Sequence, residues 1–319
     1  NKIYLGVSKK NTNAIKKYKK IGFYKINQNR KNINMLFDNS ITNKIVIGTA
    51  QFGSAYGITN VKNKQVKIPE IKKIYKYCKN ENIHEIDTAD DYKVDINLLP
   101  KLNKEIWKIN TKIKLEDRFL NLNYLNNYLK KNFIKNKKSK INILYIHQDV
   151  DFKSNTFKKI FRNLKILKEN KIINKIGISI YDFAKVKKLI QKYKIDALQV
   201  PFNVLDRRLE KHQKFFVKKK IEIYIRSVFL QGILITNKRF KKFSALQKKI
   251  KLISEKEKIS KINLCINYAD QNPSIKKIIL GFQNLREIKE IFNKFYKTNI
   301  PILKSLHINS KKISDPRNW

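Results

Sequence analysis

The chain has 319 residues, of which 42% are hydrophobic, so it can bury the core of one large domain. Its formal net charge is +47, but Lys supplies all but nine of the 72 basic residues, and these are spread over nearly every segment. That distribution is typical of solvated helix faces and argues against nucleic acid as a partner. The sequence has no apolar run near the roughly 20 residues of a membrane helix and no signal-peptide pattern, so we expect no membrane partner.

The first 38 residues form a separate unit by their pattern. A short apolar strand at residues 3–7 precedes a helix with Ala14, Ile15 and Tyr18 at helical spacing, and a second strand-like stretch follows. The polar stretch 27–34 is predicted to be a linker. We therefore predict two domains, a strand–helix–strand appendage with its linker over residues 1–38 and a large domain over residues 39–319.

From residue 44 onward, short apolar runs alternate with longer Lys-rich stretches that carry apolar residues at helical spacing. The predicted strands are 45–48, 83–87, 106–112, 143–147, 173–179, 197–201, 221–227 and 278–281. Eight buried strands that alternate with amphipathic helices predict an α/β fold of the (β/α)8 TIM-barrel type. The rival is a doubly wound open sheet, which the chain disfavours because it lacks the G-x-G-x-x-G turn after its first strand.

The two cysteines, Cys78 and Cys265, lie in apolar, helix-like stretches and form no CxxC pair. This setting favours reduced, buried thiols and a cytoplasmic location. The sequence also shows no cluster of His, Cys and Asp with the spacing of a metal site, so we expect no metal.

Four chemically useful side chains follow the second, third and fourth barrel strands: Asp87, Tyr92, Lys112 and His147. In a TIM barrel the carboxyl ends of the strands meet at one face, so these side chains should share one mouth. A phenol is a poor acid at neutral pH, and a nearby ammonium lowers its pKa. A carboxylate keeps that ammonium charged, and an imidazole can hydrogen-bond a carbonyl. This set suits the reduction of a carbonyl by hydride from a cofactor.

Eight motifs in order resemble those of the aldo-keto reductase family, over residues 44–293. They are IGTAQFG (47–53), IDTADDY (86–92), INTKI (109–113), LYIHQDV (144–150), KIGISIYD (175–182), LQVPFNVLDRR (198–208), IRSVFLQGIL (225–234) and IILGFQNLREIKE (278–290). Each motif alone is weakly specific, but the occurrence of all eight in the right order along the predicted strands is strongly specific. The resemblance implies an NAD(P)H-dependent oxidoreductase that interconverts a small carbonyl compound and an alcohol.

The resemblance also implies a role for each matching residue. Tyr92 would be the general acid and base, Asp87 and Lys112 would support it, and His147 would orient the carbonyl. The residues implied in cofactor binding are Gly48 and Thr49 on the first strand, Ser179 and Gln199 at the carboxamide, Ser227 and Leu230 near the phosphates, and Gly281, Gln283 and Glu290 at the adenosine end.

The chain departs from the family pattern at several positions. Ile180 replaces a carboxamide-binding Asn, and Arg226 stands where a Tyr stacks on the nicotinamide, a position at which Arg can also stack. The basic residue expected at the adenosine 2′-phosphate has no match in register, because Arg286 is offset by one position. Family habit alone favours NADP(H), with NAD(H) as the alternative.

The N-terminal stretch LGVSKKNTNAIKKYKKIGF (5–23) resembles the closing part of GNAT acetyltransferases. The resemblance implies a fusion of an acetyltransferase to a reductase, without acetyltransferase activity in this piece, because the acyl-CoA pyrophosphate loop lies upstream of that part. Such a fusion hints at a sugar-derived substrate.

Two other functions compete with carbonyl reduction. A catalytically silent barrel that binds the nucleotide as a sensor or scaffold is favoured by Ile180 and Arg226, but it has no need of the proton donor Tyr92. Binding of nucleic acid is suggested by net charge alone and opposed by the scattered Lys residues. The sequence predicts nothing about oligomeric state.

Overall fold

The structure is a computed structural model, and it describes residues 2–20, 24–38, 41–60, 64–99, 107–134, 140–147, 151–184, 186–298, 300 and 319. The N-terminal elements are β1 (Lys2–Ser8), α1 (Thr12–Lys20), β2 (Tyr24–Gln28) and β3 (Asn32–Asp38). The three strands form one sheet in the order β1-β3-β2, and β3 is antiparallel to both neighbours. Val7 and Met35 are buried beside Ala14, Ile15 and Tyr18 on α1.

The predicted linker over residues 27–34 is wrong, because most of it belongs to the hairpin of β2 and β3. Asn29 closes the turn of this hairpin: its side-chain oxygen accepts hydrogen bonds from the backbone N–H groups of Lys31 and Asn32, at 3.0 and 2.7 Å. Polar residues at alternate positions make the start of β3 difficult to recognise from the sequence. Ile33 and Met35 nevertheless form one apolar face of β3, which packs against α1.

The remaining strands close into a parallel barrel in the order β10-β11-β4-β5-β6-β7-β8-β9. The strands are β4 (Ile45–Gly48), β5 (Glu85–Asp87), β6 (Lys108–Ile113), β7 (Ile141–Ile146), β8 (Ile173–Ser179), β9 (Ala197–Pro201), β10 (Glu222–Arg226) and β11 (Ile275–Gly281). The helices are α2 (Ala50–Gly53), α3 (Ile68–Asn80), α4 (Leu122–Phe133), α5 (Asn155–Glu169), α6 (Val186–Lys192), α7 (Gln213–Lys218), α8 (Ser244–Lys256), α9 (Lys261–Asp270) and α10 (Leu285–Lys294). The prediction of a (β/α)8 barrel with an N-terminal appendage is confirmed.

The strands are buried on both faces, which is why they appear in the sequence as short apolar runs. Their outer face and the apolar stripes of the helices form one large core, to which α3 contributes Ile71, Ile74 and Cys78. A smaller cluster fills the interior of the barrel: Val46, Ile143, Tyr145, Ala197, Tyr224 and Ile279. The interior is therefore a packed core, and any site must lie at a mouth of the barrel.

Every predicted strand is present: 45–48, 173–179 and 197–201 have the predicted bounds, and the other five have ends shifted by one to three residues. Ile106, the predicted start of the third strand, lies outside the described residues. Cys78 and Cys265 are buried free thiols. Among the described residues, no helix is long and apolar enough to cross a membrane, and no group of three His, Cys, Asp or Glu could hold a metal ion.

Candidate active site

Asp87 and Lys112 form a buried ion pair at the carboxyl ends of β5 and β6. The Lys112 Nζ lies 2.5 Å from the Asp87 Oδ1 and donates a second hydrogen bond to the Thr88 carbonyl, at 2.8 Å. The Asp87 Oδ2 accepts a hydrogen bond from the Gln199 amide, at 2.7 Å. Burial raises the pKa of Asp87 and lowers the pKa of Lys112, while each charge favours the other. The structure thus joins predicted residues of β5, β6 and β9.

Tyr92 ends a short 3₁₀ helix, Asp90–Tyr92, in the loop that follows β5. The Lys112 Nζ lies 4.9 Å from the centroid of its ring. Burial, and next the Asp87 charge, raise the pKa of the Tyr92 hydroxyl, and the Arg226 charge opposes them. The prediction that a nearby ammonium lowers the pKa of this phenol is therefore wrong, because burial raises it. Tyr92 keeps its proton at neutral pH, the state that a proton donor needs.

Gly53 holds the backbone of Tyr92 in place. A Cβ atom at Gly53 would lie 1.7 Å from the Tyr92 carbonyl oxygen, so α2 and the Tyr92 loop pack backbone against backbone. A residue with any side chain at this position would displace one of the two segments.

His147 directly follows β7, where its backbone N–H donates to the Ile113 carbonyl at 2.8 Å. Its ring stands edge-on to that of Tyr92, with the centroids 6.4 Å apart. Burial, and next the Lys112 charge, lower the pKa of His147 to about 4, although Asp91 opposes the shift. The imidazole is therefore neutral at pH 7, and its Nδ1 lies 3.5 Å from an Asp91 carboxylate oxygen.

Asp87, Tyr92 and His147 line one cleft with a cavity volume of about 220 Å³. The residues predicted to bind a cofactor that also line it are Gly48, Gln199, Arg226, Ser227, Gly281 and Gln283. Four others are absent from its lining: Thr49, Ser179, Leu230 and Glu290. Thr49 is buried and its hydroxyl donates to the Asp87 carbonyl at 3.2 Å, Ser179 pairs in register with Gln199, and Glu290 is exposed on α10.

Arg226, at the end of β10, places a positive charge among these groups. Its guanidinium lies 3.8 Å from the ring centroid of Tyr181 and donates to the Ile180 carbonyl at 3.3 Å. One face of the guanidinium therefore covers a tyrosine of the protein itself.

The loop 227–232 follows β10 and lines the cleft with strained backbone. Ser227, Leu230 and Gln231 have φ angles of 62, 47 and 52°, in the left-handed region that side chains disfavour. The backbone N–H groups of Val228 and Phe229 donate to no group within the described residues. A turn with free, neighbouring N–H groups is suited to bind an anion such as a phosphate.

Two unpaired acceptors in the cleft lining fit a nicotinamide cofactor. The side-chain oxygens of Gln199 and Gln51 are buried and have no hydrogen-bond partner among the described residues. A buried polar atom without a partner is unfavourable by about 1–3 kcal/mol, so a ligand that donates to it gains that energy. The carboxamide N–H groups of a nicotinamide beside Asp87 are donors of this kind.

Sequence reasoning missed several residues of the lining, among them Tyr56, Tyr181, Gln231 and Glu287. They lie in loops or in the first turn of α10, so strand patterns do not reveal them. For Glu287 a signal existed, because Asn284 and Glu287 have the N-x-x-E spacing of a helix start. The Asn284 side chain indeed caps α10.

A closed parallel barrel with a carboxylate, a phenol, an ammonium and an imidazole at the carboxyl ends of its strands defines a (β/α)8-barrel oxidoreductase. The model of the Aldo/keto reductase family matches residues 44–306. The chain therefore belongs to the aldo-keto reductases, enzymes that use a nicotinamide cofactor to interconvert small carbonyl compounds and alcohols.

Solved structures agree with this fold. An aldo-keto reductase from Bacillus halodurans in its holo form is 14% identical, with a TM-score of 0.66, over 93% of this chain and 99% of the other. A glycerol dehydrogenase from Gluconobacter oxydans is 16% identical, with a TM-score of 0.61, over 82% of this chain and 89% of the other. At these identities the likeness shows the fold alone. No sequence among the curated proteins matches the chain.

Proposed function

We propose that this chain reduces an aldehyde or ketone to an alcohol, and catalyses the reverse reaction, with Tyr92 as the proton donor and acceptor. The observation that carries the proposal is the convergence of Asp87, Tyr92 and His147 in one cleft, with Lys112 buried directly beside the first two. A nicotinamide in this cleft supplies a hydride to the carbonyl carbon when it is bound.

The four side chains divide the work on the carbonyl oxygen. Tyr92 gives its proton to this oxygen as the carbon is reduced, and the adjacent Lys112 ammonium stabilises the phenolate that forms. Asp87 keeps Lys112 charged and in position through the 2.5 Å contact. The neutral His147 donates a hydrogen bond that orients the carbonyl toward Tyr92.

The remaining residues of the cleft support cofactor binding. Gln199 accepts from the nicotinamide carboxamide, beside Ser179. The free N–H groups of Val228 and Phe229, between Ser227 and Leu230, would hold the phosphates, and Gly281, Gln283 and Glu290 would hold the adenosine end. Gly48, Thr49 and Arg226 complete the set implied by the resemblance, and family habit favours NADP(H).

The setting of the enzyme is also part of the proposal. The buried free thiols of Cys78 and Cys265 support a cytoplasmic location. The GNAT-like N-terminal unit and its domain boundary at residue 38 stay predictions, and they are the basis for proposing a sugar-derived substrate. The barrel requires no nucleic acid and no metal for this chemistry.

Oxidation of NADH and NADPH with a panel of aldehydes, including sugar aldehydes, tests the proposal when the natural chain is compared with Tyr92→Phe. We expect turnover to fall at least about 100-fold in the variant, because the proton donor is lost, while cofactor affinity is retained. Binding of a dinucleotide with no turnover in either protein would favour the alternative, a silent nucleotide-binding sensor or scaffold. Failure to bind either dinucleotide would overturn the proposal.

A further inference from the structure

The fixed charges that line the cleft are unevenly placed. The charged side chains in the lining are Asp87, which is paired with Lys112, the carboxylate of Glu287 and the guanidinium of Arg226. Arg226 acts electrostatically on Asp87, Tyr92 and His147, so its charge lies at the catalytic groups. The groups that influence Glu287 are Gln283, Asn284 and Glu290, and none of them is catalytic.

Glu287 and His147 lie on opposite sides of the barrel mouth. Glu287 follows β11, His147 follows β7, and these strands are four positions apart in the closed order of eight. A nicotinamide held at Gln199 and Tyr92 leaves the rest of the dinucleotide to extend along the cleft, away from His147. The adenosine half would then approach the turn between β11 and α10, where Gln283 and Glu287 line the cleft.

The start of α10 is already neutralised by two carboxylates of the protein. The Glu287 Oε2 accepts from the Gln283 backbone N–H at 2.8 Å, and the Glu70 Oε1, on α3, accepts from the Leu285 backbone N–H at 2.7 Å. The Asn284 side chain accepts from the Glu287 N–H at 3.0 Å. The N–H groups that could bind a phosphate at a helix start are therefore occupied, and by negative groups.

The cations near this turn are poorly placed to change that balance. The Lys73 Nζ lies 3.7 Å from Glu70, with most of its side chain in water. Arg286 is exposed and is absent from the cleft lining. A further phosphate on the adenosine ribose would face Glu287 and Glu70, while the guanidinium in the lining, Arg226, lies at the catalytic groups.

We propose that Glu287, supported by Glu70, is a specificity-determining residue that selects NAD(H) against NADP(H). The proposal rests on the proposed function and reverses the preference that family habit suggests. A ribose 2′-hydroxyl can donate to a free lone pair of the Glu287 carboxylate, as acidic residues do in other dinucleotide sites. A 2′-phosphate is repelled by the same carboxylate and must displace it from the Gln283 N–H.

Direct binding measurements test this inference without turnover. The probes are NAD⁺ and NADP⁺, together with the adenosine fragments 5′-AMP and adenosine 2′,5′-bisphosphate, titrated by calorimetry into the natural chain. We expect NAD⁺ and 5′-AMP to bind at least about tenfold more tightly than their 2′-phosphorylated counterparts. Glu287→Gln removes the charge but keeps the shape, and it should reduce this preference by about tenfold.

Two further variants make the result specific. Glu255→Gln removes the same charge from the exposed face of α8 and should leave the preference unchanged. Glu70→Gln should also reduce the preference for NAD⁺ over NADP⁺. It replaces Glu287→Gln as the test variant if the latter destabilises α10.

The outcomes separate this inference from the proposed function. NADP⁺ binding as tightly as NAD⁺ to the natural chain, or a preference that neither Glu287→Gln nor Glu70→Gln alters, would overturn the selection by Glu287 and leave the reductase intact. Binding of neither dinucleotide would overturn both.

Discussion

At the scale of single residues, the buried contact between Lys112 and Asp87 has a large energetic consequence if one partner is removed. Both side chains are withdrawn from water, and the pair is completed by the Thr88 carbonyl and the Gln199 amide. Transfer of two charges from water is unfavourable, and their mutual attraction compensates for it while both partners are present. The pair thus preorganises the site while it contributes little to the net stability of the fold. Either charge without its partner destabilises the folded state.

We expect Lys112→Met to lower the free energy of unfolding by about 3–5 kcal/mol, because it leaves the Asp87 carboxylate buried without its cation. The double variant Lys112→Met with Asp87→Asn should recover a large part of that loss. Urea unfolding at pH 7.5 measures both. Equal stability of the single and the double variant would contradict the view that the lone charge is responsible.

The lowered pKa of His147 predicts a pH dependence of stability. A group with a folded pKa of about 4 and an unfolded pKa near 6.5 binds fewer protons when folded, so its stabilisation is complete above about pH 6.5. It is lost progressively as the pH falls toward 4. Between pH 7.5 and 4.5 the natural chain should lose about 2 kcal/mol more than His147→Asn, measured by chemical unfolding at both values. An identical loss in the two proteins would exclude His147 as the source.

The site could be predicted in part from sequence, for a physical reason. Asp87, Lys112 and His147 lie at the carboxyl ends of buried strands. Closure of the barrel brings these ends together independently of the loop conformations. Tyr56 enters the cleft by the packing of a loop, which no local pattern determines. The N-x-x-E spacing of Asn284 and Glu287 predicts a helix start, but not that this start lines the cleft. Burial of the Tyr92 hydroxyl likewise follows from tertiary contacts, so the direction of its pKa shift could not be predicted from the sequence.

At the scale of elements, burial on both faces made the barrel strands recognisable. A strand such as β7, INILYI, is apolar at almost every position, whereas β3, NINMLFD, begins with Asn at alternate positions and ends with Asp. The second pattern with an Asn-rich turn resembles a linker, and its pairing with β1 is a long-range contact. Strand ends also differed because they depend on neighbours, as where Lys108 rather than an earlier residue pairs with Glu85.

Packing between β7 and β8 depends on the absence of a side chain at Gly177. A Cβ atom there would lie 2.3 Å from a ring carbon of Tyr145, which fills the barrel interior. Gly177→Ala should therefore lower the free energy of unfolding by about 1–3 kcal/mol through overpacking. In a double-mutant cycle, Tyr145→Leu should relieve part of that penalty, because it removes the ring. Additive effects in thermal or urea unfolding would show that the two side chains do not clash.

At the scale of the whole molecule, 72 basic residues face 25 acidic ones, and the acidic residues are extensively paired. Asp196 contacts Lys168 at 2.6 Å, Glu222 contacts Lys175 at 2.7 Å, and Asp270 contacts Lys44 at 2.7 Å. The first pair joins α5 to the residue before β9, the second joins β8 to β10 past the intervening β9, and the third joins the turn before β4 to the end of α9. Basic residues outnumber acidic ones by 47, so these 47 cannot pair one to one with a carboxylate. The folded chain therefore concentrates positive charge that the unfolded chain spreads over a larger volume.

Mutual repulsion of this kind is screened by salt, with a Debye length of about 30 Å at 0.01 M and about 8 Å at 0.15 M. We therefore expect the midpoint of thermal unfolding to rise by about 2–5 °C when NaCl is increased from 10 to 300 mM, because screening relieves the folded state more than the expanded one. Scanning calorimetry at pH 7.5 measures the shift. Sodium perchlorate at equal ionic strength is the control, because at low concentration both salts should raise the midpoint equally if screening is the cause. A midpoint that falls with added NaCl would mean that the ion pairs outweigh the repulsion, and that the charge of +47 is carried without penalty to the fold.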